Sequence, residues 1–309
     1  MSEVGPHVAA TAVCAIVVTY NPEPETLRAL LQGCRRQVSE LVVVDNGSEP
    51  GALAALRDLQ DGGFTLIELG NNRGVAAAQN IGIDWARRQG CPLVLILDQD
   101  SLPADDMVAT LHTALHGLMR AGLPVAAVGP RLVDRRTGRS SPGVRISWFG
   151  VTRIWCRDGE PSVYQTDFLI SSGMLAPVTS FDRVGLLEEG LFVDNVDLEW
   201  CFRARSKELA LYGVCDAVLL HSVGDQVFNV GGAVLHRHAP LRQYYIMRNR
   251  LLLYRRGYTP FGWIVQDSLR ALLKVFLFAV VFSPRRENIR MICRGIRDAL
   301  LGKQGPYRG

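Results

Sequence analysis

Along the first hundred residues, short apolar runs alternate with segments of helical spacing. Val13–Thr19 reads as a strand, and Pro24–Gln37 carries Leu27, Leu30, Leu31 and Cys34 at helical intervals. Leu41–Val44 is a second strand that stops at the turn signal Asp45-Asn46-Gly47-Ser48. Ala52–Leu59 is a short helix. Phe64–Leu69 is a third strand, broken by Gly70-Asn71-Asn72-Arg73-Gly74. Val75–Gln89 is an alanine-rich helix, and Leu93–Leu97 is a fourth strand. Strands separated by helices of this length imply βαβ crossovers, hence an α/β fold with a mostly parallel central sheet. Asp105–Ala121 adds a helix and Val125–Val128 a strand. From about Arg131 the pattern loosens into short strands and turns, through Trp148–Trp155, Phe168–Met174, Leu211–Cys215 and Val218–Leu220. The glycine-rich stretch Val223–His238 lacks a period and reads as a mobile loop, and helical spacing returns at Leu241–Arg256.

The fourth strand, LVLIL, has the continuous apolar character of a strand buried on both faces. It runs straight into Asp98-Gln99-Asp100-Ser101, at the carboxyl edge where open α/β sheets place their ligands. Acids two residues apart on extended chain point the same way. They repel unless a positive charge lies between them, and a hard divalent cation such as Mg²⁺ or Mn²⁺, itself bound to phosphate oxygens, fits that position. A polar turn after a strand is the plain alternative. The chain has neither GxGxxG after the first strand nor GxxxxGK[ST] anywhere, so a nucleotide's phosphates would be held through metal on Asp98 and Asp100. The other strand ends offer groups for a nucleoside. Asp45 is an acceptor for a base N–H or a ribose hydroxyl. Thr19-Tyr20-Asn21 can flank a base. Asn72-Arg73-Gly74 opens a helix whose small residues let a ligand or another backbone lie close. Each is also an ordinary turn, helix or solvated arginine when taken singly.

Of the 309 residues, 48% are apolar and 21% charged, as in globular proteins. The net charge of +4 conceals an asymmetry: from Arg242 onward there are 14 basic and 3 acidic residues, against 20 and 27 before it. A basic tail on an acidic body points to an anionic surface as partner. Zinc-finger spacing and a basic zipper are both missing, which excludes the common nucleic-acid modules. Residues 271–283 read ALLKVFLFAVVFS and are followed by Pro284-Arg285-Arg286. That run is too short to span a bilayer. It suits a helix lying in the interface of the cytoplasmic leaflet, with the arginines on anionic lipid; a buried helix is the alternative. Seven cysteines (Cys14, Cys34, Cys91, Cys156, Cys201, Cys215, Cys293) form no CxxC pair, which suits a reducing compartment and argues against a disulfide framework or a zinc knuckle. No secretory leader pattern is visible, so a cytoplasmic location is expected. His112 and His116 share a helix face without an acid or cysteine to join them, and read as a solvated pair.

Together the motifs resemble a known family. TYNP at the first strand, VVVDNGS at the second, NNRGVAAAQNIG at the third and LDQDS at the fourth are similar to family 2 glycosyltransferases of GT-A fold. FLISSGML, LFVDNVDLEWCFRA, LLHSVG and YYIMRNRLLLYRR extend the likeness to about residue 256 and resemble the bacterial rhamnosyltransferase branch, whose donor is dTDP-L-rhamnose. The resemblance implies a GT-A catalytic domain over 1–240, with a nucleotide-binding half at about 11–130 and an acceptor half at about 131–240. A helical, basic, membrane-associated region would occupy 241–309. It implies an inverting transfer from a nucleotide sugar to a lipid-linked saccharide or glycolipid, at the inner face of the cytoplasmic membrane. Asp98 and Asp100 match the metal-binding DxD, with Gln99 between them on the donor, and His221 matches a histidine that joins the metal. Thr19, Tyr20, Asn21, Asp45, Asn72, Arg73 and Gly74 fall on the nucleotide-sugar side, and Arg248 of the RN pair would reach the diphosphate. Asp197 falls where the family carries its base, near Asp194 and Glu199, whose charges would lift its pKa. Many relatives have adjacent carboxylates there, whereas this chain has Asn195 and Val196, so Asp194 is a second candidate.

Three other readings are weaker. A haloacid-dehalogenase-type phosphatase places its DxD on an early strand and needs a lysine, and this chain has three (Lys207, Lys274, Lys303). A sugar nucleotidyltransferase would carry a glycine-rich phosphate loop near its start. A non-catalytic sugar-nucleotide or lipid-binding subunit would not need acids at 98, 100 and 197 together.

Overall fold

The alternating runs fold as βαβ units, in a computed structural model that describes residues 12–148, 150–157, 159–221, 227–230, 233–236, 239–280 and 282–309. The first half comprises β1 (Val13–Thr19), α1 (Pro24–Arg35), β2 (Glu40–Asp45), α2 (Pro50–Asp58), β3 (Thr65–Glu68), α3 (Val75–Arg88), β4 (Leu93–Asp98), β5 (Ser101–Pro103), α4 (Met107–Arg120) and β6 (Val125–Asp134). The second half runs β7 (Gly143–Ser147), β8 (Gly150–Ile154), β9 (Val163–Thr166), β10 (Met174–Pro177), α5 (Val178–Val184), α6 (Val196–Ser206), β11 (Ala210–His221), β12 (Val227–Val230), β13 (Ala233–His236), α7 (Pro240–Tyr254), α8 (Phe261–Val280) and α9 (Arg285–Leu300).

The main sheet has the order β3-β2-β1-β4-β10-β6-β11-β5, with β9 also on β11. β1 to β4 are mutually parallel, β10 enters antiparallel between β4 and β6, and β6 and β11 run parallel. β1 is buried throughout and its side chains divide by parity. Cys14, Ile16 and Val18 face one core with α3, α5 and α6; Val13, Ala15 and Val17 face the other with α1 and α4. Pro24 and Pro50 sit in the first turns of α1 and α2, where a missing N–H costs nothing, and the Glu23 carboxylate caps α1 on Glu25 N and Thr26 N. The small residues of α3 serve the sheet: a Cβ on Gly82 would fall 2.3 Å from Ile16 Cγ2.

Three sequence expectations need correction. Within the stretch read as a mobile loop, Val227–Val230 and Ala233–His236 pair as antiparallel strands; the rest of that stretch lies outside the described residues. The apolar helix is longer than the run at 271–283, beginning at Phe261. Two of the seven cysteines are joined: Cys156, after β8, and Cys215, at the bulge of β11, form a disulfide with Cα atoms 5.5 Å apart, 59 residues apart in sequence. No short-range spacing announces such a pair. Among the described residues, no helix is long and apolar enough to cross a membrane.

Candidate active site

β4 delivers Asp98 to the carboxyl edge of the sheet, and a second element completes the cluster. β5 pairs antiparallel with the end of β11 so that His221 lies opposite Ser101. The His221 ring is thereby 3.7 Å (Nδ1) from Asp100 Oδ1 and 3.2 Å from Ser101 Oγ. Ser101 Oγ is 2.6 Å from Ser172 Oγ, which accepts the Asp98 N–H at 3.1 Å. One ligand atom from each of Asp98, Asp100 and His221 lies within 4.8 Å of the others. Burial pushes the Asp98 carboxyl up to about 6; Asp100's charge adds to this, while His221 and Arg242 oppose it. Two carboxylates and an imidazole converging where negative charge is hard to hold make a set that fits a divalent cation. The mixed oxygen and nitrogen donors suit Mn²⁺ at least as well as Mg²⁺.

The opposite wall is a strained loop leading into α6. Phe192, Asp194 and Asn195 all have positive φ (66°, 62° and 63°), unusual for residues with side chains. Phe192 O accepts the Val75 N–H at 2.8 Å and lies so close to Gly74 (φ 89°) that a Cβ there would meet it at 2.5 Å. The partner of Gly74 is therefore backbone, not ligand. Asp197 sits in the first turn of α6 and accepts the Leu198 N–H at 2.8 Å. Burial raises its carboxyl to about 6, and the charges of Asp98 and Asp194 add to the rise. Glu199, expected to help, does not: it is wholly buried against Arg203 at 2.8 Å on both oxygens and receives the Tyr258 hydroxyl. Asp194 is ion-paired with Arg242 at 3.1 Å. No ion pair to Asp197 occurs among the described residues.

The RN pair holds this wall in place. Arg248 is 0% exposed, and its guanidinium donates to the carbonyls of Gly305 (2.6 Å), Leu191 (2.9 Å) and Gly190 (3.4 Å) and to Asn249 Oδ1 (2.9 Å). The expectation that it reaches a diphosphate is corrected: every nitrogen is already engaged inside the protein. Asn249 Nδ2 faces the carbonyls of Leu191, Val193 and Asp194 at 2.6–3.0 Å, across the strained segment. Asn249→Ala is expected to cost about 2 kcal/mol of stability, since it removes the donor that the Val193 and Asp194 carbonyls share, whereas the Leu191 carbonyl keeps Arg248. It should lower turnover more than donor affinity, read by chemical denaturation and by separate kcat and Kd measurements. Sequence reasoning missed Arg242, which comes six residues before Arg248, at the start of α7, and bears on both Asp194 and Asp98. A lone arginine outside any motif gives no signal of this.

On the nucleoside side, the candidates divide into shaping and exposed groups. Asp45 is 1% exposed, and its oxygens accept from Thr19 Oγ1 (3.2 Å), Gly47 N (3.1 Å), Ser48 N (2.9 Å) and Ser48 Oγ. These four donors fill its lone-pair positions, so a further donor would have to displace one of them. Asn21 caps α2 through Glu49 N and takes up Ser48 Oγ with its own N–H. Asn72 Oδ1 accepts from Asn46 Nδ2 and Gly74 N, while Asn46 Oδ1 accepts the Arg73 N–H. Tyr20 is half exposed, with its backbone tied to the Gln99 amide on both sides (2.8 and 3.3 Å). Gln99 thus joins β1's exit to the acid cluster. The Arg73 side chain is exposed, with one long contact to Asn71.

With this geometry in view, the comparisons with known proteins become specific. Residues 14–159 match Glycosyl transferase family 2. Over 297 residues, 96% of this chain and 98% of the relative, the sequence is 30% identical to dTDP-rhamnosyl transferase RfbF of Shigella flexneri. Among solved structures, TarS 1-349 of S. aureus in complex with UDP-GlcNAc superposes with TM-score 0.57 at 16% identity, over 93% of this chain and 81% of that one. GalNAc-T7 with UDP, GalNAc and Mn²⁺ superposes with TM-score 0.59 at 14% identity, over 96% of this chain but 57% of that longer one. At such identities the two structures speak for the fold alone.

Proposed function

This chain belongs to glycosyl transferase family 2, and from that premise we propose that it moves L-rhamnose from dTDP-L-rhamnose onto a lipid-linked saccharide or glycolipid, inverting the anomeric centre. The observation that carries the reading is the meeting of Asp98, Asp100 and His221 within 4.8 Å, with the half-buried Asp197 near enough to feel the charge of Asp98. The full-length likeness to a rhamnosyl transferase supports the choice of sugar.

The roles follow from the chemistry. Asp98, Asp100 and His221 hold the cation, which when bound neutralises charge on the departing diphosphate. Asp197 takes the proton from the acceptor hydroxyl as that oxygen attacks; a carboxyl at about 6 is ionised at neutral pH yet basic enough to receive a proton. Arg242 replaces Arg248 as the arginine for the leaving group, since a shift away from Asp194 would bring its charge to the phosphates. Asp194, already paired, is the weaker base candidate. Thr19, Asp45 and Ser48 form one side of the nucleoside site, with Tyr20 exposed beside them. The basic region after Arg242 supports work at the inner face of the cytoplasmic membrane, as a peripheral enzyme.

A thermal-shift series tests the donor assignment. dTDP with Mn²⁺ should raise the melting temperature well above the effect of GDP or CDP with Mn²⁺, and dTDP alone should do little. Both raised carboxyls bind protons more tightly in the folded than in the unfolded state. These two carboxyls therefore take stability away from the metal-free protein as pH rises from 3.8 to about 6, and added Mn²⁺ should restore their share increasingly above that window. Equal shifts from all nucleotides, or shifts indifferent to metal, would remove the assignment.

A further inference from the structure

We infer that the protein rests on an anionic bilayer through one continuous apolar face, formed by α8 and Trp148 at the end of β7, and that the acceptor reaches the acid cluster from that face. This deepens the proposed function and rests on its lipid-linked acceptor.

The face is defined by spacing and exposure together. Phe261, Val265, Leu269, Leu272, Leu273 and Phe276 recur at helical intervals along α8 and are each 45–69% exposed. The inner side of the same helix is already satisfied: Phe278 is buried with Met247 of α7, Phe282 and Ile292 of α9. The outer stripe is therefore not needed to hold α8 in place. It continues onto another element. Trp148, 74% exposed, packs against Phe261 with ring centroids 5.3 Å apart and planes tilted by 35°, and Ser147 O lies so close to Gly262 that a Cβ there would meet it at 2.0 Å. An aromatic ring at the edge of a large apolar stripe suits the boundary between headgroups and acyl chains.

Charge selects the occupant. Arg270 and Lys274 run one position after Leu269 and Leu273, along the flank of the stripe, and both are exposed; Arg285, Arg286 and Arg290 are exposed on α9. Of the three acids of the region, Asp267 pairs with Arg250 at 2.6 Å and Asp298 with Arg297 and Lys303, while Glu287 is exposed among the α9 arginines, which outnumber it. A second copy of the chain would bring this basic rim against itself by two-fold symmetry, which repels. Anionic lipid attracts it.

β7, paired antiparallel with β8, links this face to the chemistry. A cavity of about 250 Å³ is lined by Pro130, Pro142, Gly143, Tyr164, Phe168 and Ser172, among others. It begins where β7 begins, and Trp148 follows β7's last residue, so the two lie roughly 15 Å apart along the strand. Ser172, also in the lining, accepts the Asp98 N–H at 3.1 Å. A saccharide carried on a lipid can thus occupy the cavity while its tail stays in the bilayer.

Co-sedimentation of the full chain with vesicles tests this. The protein should pellet with phosphatidylglycerol–phosphatidylcholine vesicles and at least about tenfold less with phosphatidylcholine alone. The double variant Leu269→Glu/Leu272→Glu should remain in the supernatant while keeping the dTDP–Mn²⁺ melting shift, because both positions are exposed and neither belongs to the acid cluster. Trp148→Ala should weaken vesicle binding in the same direction. Failure of the unaltered chain to bind anionic vesicles would overturn the inference, as would a dimer in solution that the double variant converts to monomer. Vesicle binding without any dTDP–Mn²⁺ shift would leave the docking face standing and remove the donor assignment instead.

Discussion

Asp197→Asn is expected to cut turnover by about 10²–10⁴-fold, the range over which positioned general bases contribute, while leaving donor affinity close to that of the unaltered enzyme. Asparagine keeps the shape and the neighbours of Asp197 but cannot accept a proton from the acceptor hydroxyl. Donor affinity should survive because dTDP and the cation are held by other residues, and removing one buried charge beside Asp98 relieves repulsion there. The pH profile carries the same information. With Asp197 at about 6, kcat/KM in the unaltered enzyme should rise through that region and level off above it. The asparagine variant should lose that limb. Asp194→Asn serves as the contrast. Its carboxylate is paired with Arg242 and borders the strained turn, so its loss should disturb binding and stability without removing the pH limb. Steady-state kinetics with dTDP-L-rhamnose, alongside calorimetric titration of dTDP in Mn²⁺, separate the two effects. Near-normal turnover in Asp197→Asn, or a pH limb that persists there, would assign the base elsewhere.

How much of this was legible in the sequence depends on the range of the interactions concerned. β1 to β4 and their helices were readable because each is a local pattern: a continuous apolar run, a helical stripe, a glycine or asparagine turn. The acid pair was readable for the same reason, since an apolar strand ending in Asp98-Gln99-Asp100 places both carboxylates without any distant partner. Features made by residues far apart in the chain were not readable. The antiparallel entry of β10 between β4 and β6, the Cys156–Cys215 disulfide and the reach of Arg242 to Asp194 all depend on how distant segments meet. The RN pair illustrates the limit from the other side. Arg248 looked like an anion ligand because arginine near a nucleotide usually is one, yet it is buried among carbonyls, and its neighbour Asn249 spans the turn that presents Asp197's helix. Likewise Asp45 and Asn72 fell on the expected edge of the sheet, and the structure shows them bonded within the protein, Asp45 to Ser48 and Asn72 to Gly74.

Removing the acid pair is expected to have the larger effect of the two. Asp98→Ala/Asp100→Ala should abolish Mn²⁺-dependent stabilisation by dTDP and lower turnover by about 10³-fold or more, since a cation at a departing diphosphate is worth several kcal/mol. Both acids are needed because each supplies a donor atom to the same point, and His221 alone offers a single nitrogen to a metal that prefers several oxygens. His221→Ala should therefore fall between the double variant and the unaltered enzyme, with weakened Mn²⁺ affinity that higher concentrations of the ion partly recover. The metal-free double variant should melt higher than the metal-free parent at pH 7, because burial and mutual repulsion of Asp98 and Asp100 no longer oppose folding. That inverse behaviour, gain of stability with loss of turnover, distinguishes a cation site from an ordinary polar turn, where alanine would remove hydrogen bonds and lower stability. Melting curves and dTDP release assays, each with and without chelator, read both effects. Full turnover in excess chelator, or in the double variant, would mean that the diphosphate departs without a cation at Asp98 and Asp100.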